Sequence, residues 1–174
     1  MRKFAIILLP LLLVSCGLPL KHAKSSNGTR QFTTSDSTFS KYVTKFETDA
    51  KARYGSDFSV GDIPINFGDT GNDGYDGVCI SYSDGTKEII IEKDWWEDRG
   101  ETSREMMIYH ELGHCRLDRD HDDETIETED HKVVKMSLMN SILPGPNHYI
   151  LYKDGYLEEL FKKTKQTLDK LVSN

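Results

Sequence analysis

No stretch of this 174-residue chain is apolar for long enough to cross a bilayer as a permanent helix. The longest apolar run, Phe4 to Val14, is too short, and no second run follows it. Positive charge is also scarce. Lys and Arg number 22 against 29 Asp and Glu, which excludes an ordinary nucleic-acid binder. Cysteine is nearly absent. Of three, Cys16 belongs to the N-terminal segment, so Cys79 and Cys115 leave room for one bridge in the body of the chain. No internal repeat is visible, and the length suits one domain with one core.

What is present begins at the N-terminus. Arg2-Lys3 precedes the apolar run, and Leu13-Val14-Ser15-Cys16 resembles a bacterial lipobox, whose Cys is acylated after cleavage. The expected organisation is a signal peptide over 1–15, then a fatty-acylated (palmitate-bearing) Cys16 with a flexible Ser/Thr/Lys/Gly tether over 16–36. The main folded domain follows over 37–174. The mature chain of about 159 residues carries a formal net charge of −9. Its location is expected to be membrane-anchored through the lipid, facing the periplasm, outer membrane or cell surface. In a Gram-negative cell, Gly17 after the Cys resembles the sorting pattern of outer-membrane lipoproteins. The acidic excess concentrates in Asp118 to Asp130, which reads as a solvated loop.

His110-Glu111-Leu112-Gly113-His114 carries the chemistry. On a helix, residues four apart share one face, so both histidines can point at one metal ion. Glu111 lies beside that face and can reach a water at the metal. Two imidazoles, a carboxylate and an open coordination position suit a hydrolytic zinc site. Thr102-Ser103-Arg104-Glu105 reads as a capping box, so the helix is expected to start near 102 or 103 and stop near Leu117 or Asp118. Apolar residues on several sides make it a buried helix, and Gly113 is expected where a neighbouring backbone comes close.

A catalytic zinc takes a third protein ligand. His121 is the first candidate and Asp120 the second, followed by Glu124, Glu127, Glu129 and His131. The segment 110–121, HELGHCRLDRDH, resembles the metzincin metalloproteases, with HExxHxxGxxH and a following Met-containing turn. One inserted residue puts Asp118 at the Gly position, where its tolerance of a left-handed backbone suits it. Ser137-Leu138-Met139-Asn140 resembles the Met-turn, with Met139 beneath the metal. The resemblance implies an α+β fold with a small mixed twisted sheet and about three helices. It further implies Zn2+ held by His110, His114 and His121, with Glu111 as general base. The implied activity is hydrolysis of peptide or protein substrates, as an endopeptidase. Two other readings share the motif: a non-catalytic zinc-stabilised surface lipoprotein, and a zinc amidase acting on cell-wall peptide.

The remaining elements follow from periodicity. Phe39, Val43, Phe46, Ala50 and Tyr54 give a helix over 37–54, and Ile63, Ile65 and Phe67 a strand over 62–67. Gly68 to Gly77 reads as a loop, although Asp69, Asp73 and Asp76 faintly suggest calcium. Residues 78–82 and 87–92 read as a hairpin around Ser83-Asp84-Gly85-Thr86. The resemblance makes 78–82 a substrate-binding edge strand. Cys79 and Cys115 either bridge that strand to the metal helix, remain buried thiols, or place a thiolate near the metal. Trp95-Trp96 cap the core or line a pocket. After the break at Pro144-Gly145-Pro146, His148, Tyr149 and Tyr152 are structural or oxyanion-stabilising, and a final helix spans 154–172.

Overall fold

A computed structural model describes residues 24–71 and 74–173. Its main sheet is mixed and four-stranded, in the order β1-β3-β4-β2, from β1 (Lys24–Ser26), β2 (Ile65–Phe67), β3 (Gly77–Tyr82) and β4 (Lys87–Ile91). β3 and β4 form the expected antiparallel hairpin, with Cys79 opposite Ile89. β1 adds in parallel to β3 and β2 in parallel to β4. The strand expected over 62–67 thus contracts to three residues. The architecture is α+β, with six α-helices among the described residues rather than about three.

Alternation along the hairpin gives the sheet two apolar faces. Cys79, Ile89 and Ile91 turn to the main core, where α1 (Ser40–Tyr54) and α3 (Glu101–Leu117) pack. Val78, Ile80, Tyr82 and Ile90 turn the other way and are covered by Phe32. This second face overturns part of the expected tether. From Lys24 the backbone pairs with β3, and the amides of Gln31 and Phe32 donate to the Glu88 carboxylate. Glu88 is fully buried and also accepts from the Tyr82 hydroxyl. A buried carboxylate demands such donors, and here the N-terminal segment supplies two of them. Residues 1–23, including the signal-peptide, Cys16 and anchor readings, lie outside the described residues.

The same pairing corrects the edge-strand expectation. β3 is flanked by β4 on one side and by β1 along Ile80, Ser81 and Tyr82 on the other. Only its first half, Gly77 to Cys79, borders the cleft described below.

Helix α1 is seated by aromatic contacts. Phe46 packs edge-on to Tyr109 and tilted to Phe161, each with ring centroids 5.0 Å apart. The capping-box expectation for α3 fails. The helix starts at Glu101 after Gly100, and Glu105 instead joins Lys45, Lys153 and the Tyr149 hydroxyl. Two lysines from neighbouring helices stabilise the carboxylate more than one backbone amide would. Short α2 (Lys93–Glu97) splits the tryptophans: Trp96 is buried in the core, while Trp95 lines the cleft. After α4 (Pro146–Leu151), the expected final helix is two, α5 (Lys153–Lys162) and α6 (Gln166–Val172). The break falls at Lys163, with φ 56°. α6 then folds back so closely that a Cβ on Gly155 would lie 2.7 Å from Leu168 Cα.

Candidate metal centre

Helix α3 crosses beneath the sheet with residues 105 to 115 buried. It ends at Asp118, whose φ of 48° is left-handed, the conformation expected at that position. Lys87 of β4 secures this end, donating to the Cys115 carbonyl at 2.9 Å and to Asp118 Oδ1 at 2.6 Å. The chain then reverses, with Arg119 N donating to Gly113 O. That reversal carries His121 back over the helix.

His110, His114 and His121 converge and form a group that could hold a metal ion. Their Nε2 atoms stand 3.1, 3.2 and 3.3 Å apart. Metal–nitrogen bonds of 2.0–2.1 Å in a tetrahedron require nitrogens about 3.3 Å apart, so one ion fits all three. The tautomers agree. His110 Nδ1 donates to Leu138 O at 2.8 Å, and His114 Nδ1 donates to Arg119 O at 2.6 Å. A carbonyl only accepts, so both Nδ1 atoms carry a proton, and in the neutral ring each Nε2 is then the nitrogen that presents a lone pair. Such Nδ1–H···O=C contacts fix ring orientation and tautomer in the way that metal-ligating histidines use them. Burial, together with the neighbouring His114, pushes the His110 pKa down to about 3, which keeps that imidazole neutral as a ligand must be.

The other candidate ligands are elsewhere. Asp120 is exposed and outside the group. Glu124 pairs with Lys165, and Glu127 with His131 at 2.7 Å on the surface; Glu129 is exposed. Asp69 and Asp76 join no metal-ligating group among the described residues, and Asp73 lies outside them.

Glu111 is buried in the wall of the same cleft, a cavity of about 550 Å³. Burial pushes its pKa up to about 8, opposed by a hydrogen bond from the backbone amide of Cys79. Gly77 makes that approach possible. A Cβ there would lie 2.6 Å from Met107 Sδ and 3.1 Å from Glu111 Oε1. Cys79 and Cys115 are joined in a disulfide, with Cα atoms 5.6 Å apart, which ties β3 to α3 one residue after His114. Of the three fates open to these cysteines, the structure has the bridge.

Met139 is fully buried in the turn at 138–139. The turn does three things. Its Leu138 carbonyl orients His110, its Met139 carbonyl accepts from Asp122 N next to His121, and the Met139 side chain fills the space beside Gly113. The close neighbour of Gly113 is therefore a thioether, not a backbone. The oxyanion candidates do not face the cleft. Tyr149 donates to Glu105 in the interior, Tyr152 packs against the core, and His148 lines a separate pocket of about 350 Å³. Gly77, the Cys79 amide and the Arg119 carbonyl belong to the site without standing out in the residue pattern. The two backbone groups leave no mark on residue type, whereas a glycine at the junction of the 68–77 loop and the following strand was an available signal.

No family model matches the chain, and no curated protein or solved structure is found similar to it. Among the described residues no helix is long and apolar enough to cross a membrane.

Proposed function

We propose that the chain is a zinc-dependent peptidase with a metzincin-like plan, hydrolysing peptide bonds in extended substrates. The observation that carries this reading is the triangle of Nε2 atoms at 3.1–3.3 Å in the wall that also holds Glu111. His110, His114 and His121 would hold the ion. Three imidazole nitrogens, with a fourth position left to water or substrate, would suit zinc. Bound there, zinc would supply Lewis-acid polarisation of a carbonyl and a more acidic water. Glu111, whose carboxylate the adjacent cation would keep ionised, takes the proton of the attacking water and delivers it to the leaving amine. The Cys79 amide keeps its carboxylate aimed from the strand side. Substrate lies along the cleft between residues 74–79 and the wall formed by Ile142 to Pro146.

Glu111→Gln preserves volume and hydrogen-bonding shape while removing the base. It is expected to keep about one zinc per chain and to lose 10²–10⁴-fold in peptide turnover, roughly the worth of general-base assistance. Equal turnover by both proteins in a casein or quenched-peptide assay removes Glu111 as the base. Bound zinc without turnover by either protein, on peptide and cell-wall substrates, points instead to a non-catalytic site.

Anchoring through a lipid on Cys16 completes the proposal, supported by Arg2-Lys3, the apolar run and Leu13-Val14-Ser15-Cys16. Cys16→Ser is expected to move the protein from the membrane pellet to the soluble fraction. Continued sedimentation of the variant with membranes would refute the anchor.

A further inference from the structure

Two of the metal-site histidines take their orientation from main-chain carbonyls on separate segments. His114 donates to Arg119 O in the chain reversal after α3, and His110 donates to Leu138 O in the methionine turn. Neither segment is a helix or a strand, so each carbonyl needs its backbone held from elsewhere. One residue reaches both. Glu159, on α5, is 1% exposed. Its Oε1 accepts from Arg119 Nη2, and its Oε2 accepts from Ser137 Oγ at 2.7 Å. The Arg119 guanidinium also spans the end of α5, donating from Nη1 to the Glu159 and Leu160 carbonyls at 2.9 and 2.8 Å. Ser137 Oγ in turn accepts from Met139 N at 2.9 Å, which closes the turn around Leu138.

We infer that Glu159 is a positioning residue for the metal site: its two carboxylate oxygens lock the segments whose Arg119 and Leu138 carbonyls aim His114 and His110. The inference rests on the metal reading proposed above. The path is short on both sides. Through Arg119, the carboxylate holds the residue whose own carbonyl binds His114. Through Ser137, it holds the neighbour of the residue whose carbonyl binds His110. Both arms are buried, since the Arg119 side chain is 9% exposed and Ser137 is fully buried. Water therefore does not take over either contact when one partner is removed. A carbonyl that drifts frees its imidazole to rotate. The ligand nitrogen then leaves the point where the other two converge, and removal of such supporting groups typically weakens metal binding by about 10–100-fold.

A merely structural buried ion pair would affect folding but not the affinity of the folded protein. Glu105 supplies the control. It is another buried carboxylate paired with Lys45, Lys153 and Tyr149, and none of these partners bears an acceptor for a metal histidine. The experiment is a zinc titration against a chromophoric chelator, at a temperature where circular dichroism shows each protein folded. It compares wild type, Glu159→Gln, Ser137→Ala and Glu105→Gln. Glu159→Gln is expected to bind zinc about 10–100-fold more weakly. Ser137→Ala, which removes one arm and no charge, is expected to weaken binding in the same direction, and Glu105→Gln to match wild type. With Co2+ in place of zinc, the visible absorption of Glu159→Gln should differ from wild type, because ligand orientation sets it. A Glu159→Gln affinity equal to wild type overturns the inference, as does an equal loss in Glu105→Gln. Should Glu159→Gln fail to fold, Ser137→Ala decides alone, and unchanged affinity there overturns it. Failure of wild type to take up zinc defeats the metal reading itself, an outcome distinct from the others.

Discussion

Gly113→Ala should destabilise this protein, against the usual sense of that substitution. In an ordinary helix interior, replacing Gly by Ala adds about 1 kcal/mol of stability. At position 113 the new Cβ would fall far inside van der Waals contact of Met139 Sδ, 3.1 Å from Met139 Cε and 3.3 Å from Leu160 Cδ1. Met139 and Leu160 are both fully buried, so neither side chain can swing into solvent. Overpacking of this kind costs about 1–3 kcal/mol. Set against the propensity gain, the net loss is between roughly nothing and 2 kcal/mol, a fall in Tm of up to about 8 °C for a domain of this size. A double-mutant cycle isolates the clash. Met139→Ala alone is expected to cost about 2–5 kcal/mol through the cavity it leaves. On that background the alanine at 113 fits, so Gly113→Ala should there regain about 1 kcal/mol. The coupling energy is then about 1–3 kcal/mol, measured by thermal or urea unfolding of all four proteins. A raised Tm for Gly113→Ala in the otherwise native protein, or additivity within about 0.5 kcal/mol, refutes the reasoning.

Loss of the Cys79–Cys115 bridge, which spans 36 residues, should cost about 4 kcal/mol of unfolding free energy through the freed loop. The double Cys→Ala variant should therefore melt roughly 8–16 °C lower, and coincident melting curves would show that the bridge contributes nothing. Chelator-treated protein should have a bell-shaped dependence of stability on pH. Burial depresses His110 from 6.5 to about 3, so the unfolded chain binds more protons there and stability falls as pH drops below 6.5. Burial raises Glu111 from 4.5 to about 8, so the folded protein holds the extra proton and stability falls as pH rises from 4.5 toward 8. The two slopes oppose one another between 4.5 and 6.5, where the maximum should lie; each alone reaches about 1.4 kcal/mol per pH unit. A Tm rising steadily from pH 6.5 to 8 in chelator would contradict the Glu111 assignment.

Much of the site was legible in residue types, because helix geometry converts spacing directly into direction. His110 and His114 face one point since four residues make about one turn. Asp118 ends the helix in a left-handed conformation since few other side chains tolerate one. The hairpin and the seat of α1 followed in the same way from periods of two and 3.6. The start of α3 did not, because the Glu105 carboxylate answers to Lys45 and Lys153, which are distant in sequence. Nor did the course of residues 24–36, polar in composition yet held by the buried Glu88. The return of His121, the role of Met139 beside Gly113, and the reach of Glu159 to both Arg119 and Ser137 depend on where separate segments meet. The sequence by itself determined which atoms can bind a metal or move a proton, since that is a property of each side chain and its local spacing. The tertiary structure alone decided which carbonyls, amides and buried charges hold them, because those partners are set by packing across the whole chain.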